Sequence, residues 1–251
     1  MIRVREGFLL RVDGDSQTGR IAYATGSYEP RTTAVMKALL HRGDTVIDVG
    51  ANIGYFSIVA ARAVGPTGRV VAFEPVPAVR QALIANLTLN HLDHVTIRHE
   101  ALSQNCGSVV FHLGPTRDTG LGSLRALPGG HTLEVEQARF DDIWDRESRI
   151  SLVKIDVEGA ELLALQGMIA CLKRDRPNLI LEVTDEYLRG LGSSATALLE
   201  FLVSLSYNVF RLPESGPIQP IADGGDLSTC PTQFNVLCSV RPDMRQVLVN
   251  S

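Results

Sequence analysis

The chain lacks the segments and motifs that mark several large classes of protein. Among its 251 residues, no apolar run approaches the roughly 18 that a transmembrane helix needs, and no charged segment followed by an apolar core resembles a secretory signal. The four cysteines show no Cys-x-x-Cys spacing, which argues against a structural zinc site and against a disulfide framework. We therefore expect a cytoplasmic protein with free thiols.

Positive charge is also scarce. The chain has 24 Lys and Arg against 28 Asp and Glu, a net charge of -4, and no dense basic run. A basic patch is the usual signature of nucleic-acid binding, and a basic run that of a membrane surface, so we expect neither as a partner. Whether the chain forms a homo-oligomer is left open. Hydrophobic residues make up 45% and charged residues 21%, which is typical of a globular domain.

Strand-like and helical segments alternate along most of the chain. Predicted strands cover residues 45–49, 70–74, 95–99, 152–155 and 179–183, and predicted helices cover 54–64, 78–90, 160–172 and 195–205. This alternation predicts an α/β fold, with a mostly parallel sheet covered by helices on both faces.

Two regions depart from the alternation. Residues 1–44 form a lead-in, with predicted strands at 8–12 and 20–23 around a turn at 13–15 and a helix at 30–41. Residues 108–139 are predicted to be a β-rich insertion whose glycine-rich loop lies near the substrate. No internal repeat or second domain is evident.

The first core strand runs into a glycine turn, and the second ends on Glu74. In doubly wound α/β folds, this arrangement holds the ribose of a nucleotide-like cofactor. A dinucleotide site has Gly-x-Gly-x-x-Gly, whose middle glycine lets the backbone approach a pyrophosphate. Asn52 stands in place of that glycine, between Gly50 and Gly54. A ligand with a ribose and no diphosphate fits better, and S-adenosylmethionine is the commonest such molecule.

Carboxylates lie at the ends of four predicted strands, at Asp48, Glu74, Asp156 and Glu182. Ligands of open parallel sheets bind beyond the carboxyl ends of the strands. Charged groups at the edge of a core need partners, so these four acids are expected to belong to a site.

Several motifs together resemble the FkbM family of Class I S-adenosylmethionine-dependent O-methyltransferases. They are Asp48-Val49-Gly50-Ala51-Asn52-Ile53-Gly54, Ala72-Phe73-Glu74-Pro75, Asn86 with Asn90, Glu100-Ala101-Leu102-Ser103, and the run from Val153 to Glu161. The resemblance implies a Rossmann-like seven-stranded sheet, closed antiparallel by segments 207–212 and 233–240. Residues 45–251 would then be the methyltransferase domain, with 1–44 as its lead-in.

The resemblance and the strand ends together predict the cofactor-binding residues. These are Asp48, Gly50, Asn52, Gly54, Glu74, Leu102, Ser103 and Asp156. The glycines would let the chain pass under the methionine part, and Glu74 would accept both ribose hydroxyls. Asn52 could bind the cofactor's amino or carboxylate end, or could cap the following helix. Leu102 and Ser103 would lie against adenine.

The predicted catalytic residues are Asp156, Glu182 and His131. If their strands are adjacent, Asp156 and Glu182 converge, and two close carboxylates raise one another's pKa. One could then act as a base, or both could hold a metal ion such as magnesium. Asp156 could instead face the methionine amino group. His131, in the insertion, is a candidate general base. The segment Gly120-Leu121-Gly122-Ser123 is expected to shape the substrate pocket.

The resemblance implies methyl transfer to a hydroxyl of a small-molecule partner, such as a polyketide, a sugar or a related natural product. A nicotinamide-dependent oxidoreductase is the first alternative, although the middle glycine and a Tyr-x-x-x-Lys pair are missing. A cofactor-binding subunit without catalysis is the second alternative. N-methylation also stays open.

Overall fold

The computed structural model of the chain describes residues 1–12, 16–114, 122–124, 130–144, 148–221, 227, 230–241 and 244.

The lead-in contains two short strands and two helices. Strands β1 (Ile2–Arg3) and β2 (Leu9–Leu10) pair antiparallel, and helices α1 (Gln17–Thr25) and α2 (Pro30–Leu39) follow them. The predicted helix at 30–41 is thus confirmed as α2, while the predicted turn at 13–15 lies outside the described residues.

The predicted strand at 20–23 is wrong, because this stretch lies within α1. The side-chain oxygen of Ser16 caps the helix by accepting a hydrogen bond from the Gly19 amide at 3.1 Å. Ala22 is fully buried, whereas Ile21 and Tyr23 on either side of it are exposed. The apolar alternation that suggested a strand therefore does not face the core.

The alternating core begins as predicted and leads into the insertion. The first half of the core consists of β3 (Thr45–Val49), α3 (Tyr55–Val64), β4 (Arg69–Phe73), α4 (Pro77–Leu89) and β5 (Val95–Arg98). The next elements are β6 (Ala101–Leu102), β7 (Gly107–Leu113), β8 (Gly122–Ser123), β9 (His131–Ala138) and the short helix α5 (Phe140–Ile143). The order β6-β9-β7-β8 forms a separate four-stranded sheet, so the insertion is β-rich as expected.

The second half of the core contains more elements than the sequence pattern predicts. Its elements are β10 (Ile150–Ile155), α6 (Glu161–Gln166), α7 (Ile169–Asp175), β11 (Asn178–Thr184), α8 (Asp185–Gly190), α9 (Ala195–Ser204), β12 (Asn208–Leu212), β13 (Gln219–Ile221) and β14 (Gln233–Ser239). The single helix predicted at 160–172 is wrong, because it is divided into α6 and α7. At the break, a side chain on Gly167 would lie 2.0 Å from the carbonyl oxygen of Ser103, so the segment after β6 can pack there only against glycine.

The main sheet has the order β13-β12-β14-β11-β10-β3-β4-β5. Strands β11, β10, β3, β4 and β5 are parallel, and β14 pairs antiparallel with both β11 and β12. The seven expected strands are therefore present with their antiparallel close, and β13 adds an eighth at the edge. The strand order reverses between β3 and β10, which makes their carboxyl ends the switch point where such folds bind ligands.

Alternate residues of the central strands point into two separate cores. Val46 and Val70 face one core, formed with α2, α3 and α4, whereas Ile47 and Val71 face the other, formed with α6, α7 and α9. Strands buried on both faces account for the nearly continuous apolar runs of the sequence. In the part of the chain that the structure describes, no helix is both long and apolar enough to cross a bilayer.

Candidate active site

A crevice opens at the carboxyl ends of β3, β4, β10 and β11. It has an empty volume of about 1140 Å³, counting the part open to solvent. Six of the predicted site residues line it, namely Gly50, Asn52, Glu74, Leu102, Asp156 and Glu182. The structure therefore brings most of the predicted site together at the switch point of the sheet.

Gly50 allows the turn after β3 to pass against β10. Its φ is +80°, and a side chain there would lie 1.9 Å from the carbonyl oxygen of Asp156. The Asp156 amide donates to the Val49 carbonyl at 3.0 Å, which holds the two strand ends together. Gly54, with φ of +94°, begins α3 and packs on Leu83 of α4 outside the crevice lining. Only a residue without a side chain fits at Gly50.

Asn52 adopts the left-handed conformation that glycine usually supplies, with φ of +50°. Its side-chain oxygen accepts a hydrogen bond from the Ile53 amide at 2.7 Å, and its own amide donates to Glu74 Oε2 at 3.0 Å. The N-cap residue of α3 is Gly54, so Asn52 does not cap the helix in the usual way. Asn52 instead shapes the loop and ties it to Glu74.

Glu74 is buried at the end of β4 and faces the crevice. Its Oε1 accepts a hydrogen bond from the Val76 amide at 2.9 Å, and its Oε2 accepts the bond from Asn52. Burial raises the pKa of Glu74 to about 7, against the opposing effect of these backbone hydrogen bonds. Each oxygen retains a further lone pair, so the carboxylate can accept two ligand hydroxyls side by side.

Asp48 and Ser103 lie beneath the crevice rather than in its lining. The Asp48 carboxylate is buried and accepts a hydrogen bond from Ser57 Oγ at 2.6 Å. Burial raises the pKa of Asp48. Ser103 is buried where its carbonyl contacts Gly167, whereas its neighbour Leu102 lines the crevice. These positions make Asp48 and Ser103 supports of the site, in contact with the residues that line it.

Lys154 lines the crevice, although the sequence analysis gave it no role. Its ammonium donates to Asp156 Oδ2 at 3.0 Å and lies 4.5 Å from the centre of the Phe56 ring. Burial alone would lower the pKa of Lys154, but the carboxylates of Asp156, Asp48 and Glu29 outweigh burial and hold it above its usual range. A lysine between Val153 and Ile155 in a buried strand was the available signal.

Three carboxylates converge beside this lysine. Asp156 directly follows β10 and Glu182 lies in the adjacent strand β11, so the two converge as predicted, and Glu29 of the lead-in joins them. One oxygen of each lies within 4.8 Å of the others, so their donor set could hold a metal ion. Burial raises the pKa of Glu182, with further contributions from the negative charges of Asp156, Glu158 and Glu29. Gln233 donates to Glu182 Oε1 at 2.5 Å.

Glu29 has an unusual backbone conformation for its position. It precedes α2 with φ of +41°, and its side chain makes no cap hydrogen bond to the helix. Its carboxylate instead accepts a hydrogen bond from Asn235 Nδ2 at 2.8 Å, beside β14. The strained backbone thus turns the carboxylate toward the acidic cluster.

His131 does not lie in this site. It is exposed at the start of β9, paired with Leu113 across the insertion hairpin, and it does not line the crevice. Other parts of the insertion do line it, including Phe111, Gly122 and Leu124. Ser123 Oγ donates to the Glu158 carbonyl at 2.8 Å and so fixes the insertion over the end of β10. Gly120 and Leu121 of the predicted pocket segment lie outside the described residues.

The lead-in and β14 supply further lining residues that the sequence did not indicate. Gln17, Thr18 and Tyr28 come from the lead-in, and Gln233 comes from β14. The Tyr28 ring packs against the Tyr55 and Phe56 rings, with centroids 5.6 and 5.9 Å apart. One wall of the crevice is therefore built from residues far in sequence from the glycine turn.

Comparison with known proteins agrees with this geometry. Residues 48–211 match the family model described as the methyltransferase FkbM domain. The chain belongs to this family. The matched region contains the glycine turn, Glu74 and the strand ends with Asp156 and Glu182, but it excludes the lead-in and β14.

Curated relatives and solved structures support the family and the fold. Methyltransferase sdnD from Sordaria araneosa is 31% identical over 156 residues, covering 49% of this chain and 60% of the relative. Methyltransferase 1 from Beauveria bassiana is 26% identical over 173 residues, covering 61% of this chain and 68% of the relative. The match thus spans less than two thirds of the first relative's length.

Among solved structures, two show the same fold at low sequence identity. A putative rRNA-methylase from Clostridium thermocellum is 16% identical, with a TM-score of 0.53 over 84% of this chain and 93% of its own. A putative methyltransferase from Streptococcus mutans, solved in complex with SAH, is 12% identical, with a TM-score of 0.51 over 84% of this chain and 96% of its own. The Rossmann-like methyltransferase fold is therefore shown.

Proposed function

We propose that this protein transfers the methyl group of S-adenosylmethionine to a hydroxyl oxygen of a small molecule. The observation that carries the proposal is the convergence, in one crevice, of the Gly50–Gly54 loop, the Glu74 carboxylate and the Asp156–Glu182 pair. The first two suit an adenosyl ligand without a diphosphate. The carboxylate pair suits removal of a proton from the acceptor.

The residues present fit the cofactor. Glu74 has lone pairs free for both ribose hydroxyls, Leu102 offers an apolar contact for adenine, and Gly50 lets the loop lie directly against the Asp156 backbone at the edge of the crevice. When bound, S-adenosylmethionine supplies a methyl group already activated on a sulfonium. The protein's task is then to align the acceptor oxygen, and alignment can contribute about 7–11 kcal/mol to lowering the barrier.

Asp156 is the residue that we assign to accept the hydroxyl proton. The Lys154 ammonium donates to Asp156 Oδ2 at 3.0 Å and holds the carboxylate in place, and both residues line the crevice. Glu182 lies beside it with a raised pKa, so it holds a proton at neutral pH and can donate a hydrogen bond to the acceptor oxygen. Asp156 would take the proton of the acceptor hydroxyl, while the bound cofactor would supply the methyl group from its sulfur and leave as S-adenosylhomocysteine.

A magnesium ion held by Asp156, Glu182 and Glu29 is the other role that these carboxylates suit. We favour the base, because the Lys154 ammonium already supplies a positive charge to Asp156. The two roles predict different responses to a chelator. A base keeps its activity in the presence of EDTA, whereas a metal site loses it.

The acceptor that we propose is a small hydroxyl compound such as a polyketide, a sugar or a related natural product. The narrow crevice with Tyr28, Phe56 and Phe111 in its walls suits an acceptor with an apolar body. Among the described residues that line the crevice, several are carboxylates and Lys154 is a cation, so negative charge predominates. This charge disfavours anionic partners such as nucleic acid.

The test combines binding with turnover. Titration calorimetry should show binding of S-adenosylmethionine and no binding of NAD. A screen of hydroxyl and amine acceptors with labelled cofactor, run with and without EDTA, should then show transfer to oxygen that resists the chelator. Binding of NAD alone would refute the proposal, and cofactor binding without transfer to any acceptor would favour a non-catalytic subunit.

A further inference from the structure

Asn86 of α4 and Asn90 at the C-cap of the same helix bind the backbone of residues 9–11, a segment made of β2 and the residue after it and called here the lead-in strand. Asn86 Oδ1 accepts from the Arg11 amide at 2.7 Å, and Asn86 Nδ2 donates to the Arg11 carbonyl at 3.2 Å. Asn90 makes the same two bonds to Leu9, at 2.9 and 2.7 Å. Asn86 and Asn90, four residues apart along the helix, thus pair with Arg11 and Leu9, two residues apart along the strand. Each side-chain amide makes the two hydrogen bonds that a neighbouring strand would make.

The two asparagines differ in their remaining N–H. Asn86 Nδ2 donates to the Ile53 carbonyl at 2.8 Å, whereas Asn90 Nδ2 donates to the Asn86 carbonyl of its own helix at 2.8 Å. Asn86 is fully buried, so its bond to Ile53 is protected from water. Of the pair, Asn86 alone connects the lead-in strand to the loop after β3.

Ile53 is in the middle of the loop proposed to bind the cofactor. Its amide is bonded to the Asn52 side chain, and the Asn52 amide is bonded to Glu74. Ile53 is followed by Gly54, which packs on Leu83, one turn before Asn86 in α4. The position of the Ile53 carbonyl therefore fixes the conformation of Asn52 and its distance from Glu74.

The lead-in also supplies a second part of the site. Gln17 and Thr18 of α1 and Tyr28 line the crevice wall, and these residues lie outside the region that matches the family. The Asn86 side chain is bonded to the backbone of Arg11 in the lead-in and to the backbone of Ile53 in the loop, so it sets the position of the loop relative to the lead-in.

We propose that Asn86 is a positioning residue that holds the cofactor loop in its binding conformation and aligns it with the lead-in wall. The inference rests on the proposed function, because S-adenosylmethionine is the ligand of that loop. Without the amide, the buried Ile53 carbonyl has no partner and the loop shifts to find one. The affinity for the cofactor then falls, although Asn86 does not contact it.

The experiment compares Asn86→Ala with Asn90→Ala. Each variant removes two bonds to the lead-in strand, and only Asn86→Ala also removes the bond to the loop. Hydrogen exchange of the amides of residues 9–11 should increase similarly in both. Titration calorimetry with S-adenosylmethionine should show a loss of about tenfold for Asn86→Ala, the cost of one buried hydrogen bond, and less than about threefold for Asn90→Ala.

Equal losses of affinity in the two variants would overturn the inference, since Asn86 would then be a lead-in anchor and nothing more. Unchanged affinity in Asn86→Ala would overturn it as well. If Asn86→Ala does not fold, Asn86→Ser, which keeps one donor, takes its place. Failure of both to fold while Asn90→Ala folds would show that Asn86 serves the fold itself. If the wild-type protein binds no S-adenosylmethionine, the proposed function fails first.

Discussion

Replacing Gly50 by alanine tests the geometry on which the cofactor loop depends. The added methyl group would lie 1.9 Å from the Asp156 carbonyl oxygen, whereas real contacts of this kind stay at 3.0 Å or more. The ends of β3 and β10 would have to separate by about 1.1 Å. The bond from the Asp156 amide to the Val49 carbonyl, now 3.0 Å, would be lost in the process.

The expected cost has two parts. An alanine with φ of +80° is strained by about 1–2 kcal/mol, and relief of the overlap adds about 1–3 kcal/mol. For a protein of 251 residues, 1 kcal/mol corresponds to about 2–4 °C, so a total of about 2–5 kcal/mol should lower the midpoint of thermal unfolding by about 4–20 °C. A displacement of about 1 Å at the site should weaken binding of S-adenosylmethionine and lower the rate of methyl transfer by roughly 100-fold.

Two other glycines provide a matched control. Gly43 and Gly192 have φ of +88° and +78°, and a side chain at either would meet nothing within 4 Å. Gly43→Ala and Gly192→Ala should therefore show the backbone strain without the overlap, and should bind the cofactor normally. Differential scanning calorimetry and titration calorimetry on all three variants give the comparison. If Gly50→Ala is no less stable than the controls and binds the cofactor equally well, the reasoning about this close contact is wrong.

Three further results are expected. Because burial raises the pKa of Glu74 to about 7, its carboxyl gains a proton below that pH, so the affinity for S-adenosylmethionine should decrease from about pH 8 to about pH 6. Glu74→Gln should weaken binding and remove that pH dependence in calorimetry, and a persisting dependence would contradict the assignment. Asp156→Asn should lower single-turnover rates by about 10²–10⁴-fold at saturating cofactor, and an unchanged rate would exclude it as the base. Lys154→Met leaves Asp156 and Asp48 without their buried cation, so urea unfolding should show a loss of about 3–5 kcal/mol, against little change for the exposed Lys173→Met.

Much of the fold could be predicted because its signals are local. The apolar strands at Thr45–Val49 and Asn178–Thr184 are buried on both faces, which leaves continuous apolar runs in the sequence. The strand predicted at 20–23 is wrong because the alternation of only four residues does not distinguish a strand from a helix. The hydrogen bond from the Gly19 amide to the Ser16 side chain stabilises the start of a helix there. The break at Gly167 depends on the carbonyl of Ser103, more than 60 residues away, which no local pattern reveals.

The sequence by itself predicted the residues of the crevice that we propose bind the cofactor. The loop from Gly50 to Gly54 and Glu74 belong to the unit β3-α3-β4, and Asp156 and Glu182 belong to the unit that runs from β10 to β11, so local strand and helix patterns predict each group separately. Only the tertiary structure brought these two groups together and added Glu29 and Tyr28 to them. The positions of Glu29 and Tyr28 depend on how the lead-in packs on the sheet, through bonds such as those of Asn86, because these contacts join residues far apart in the sequence that no local pattern connects.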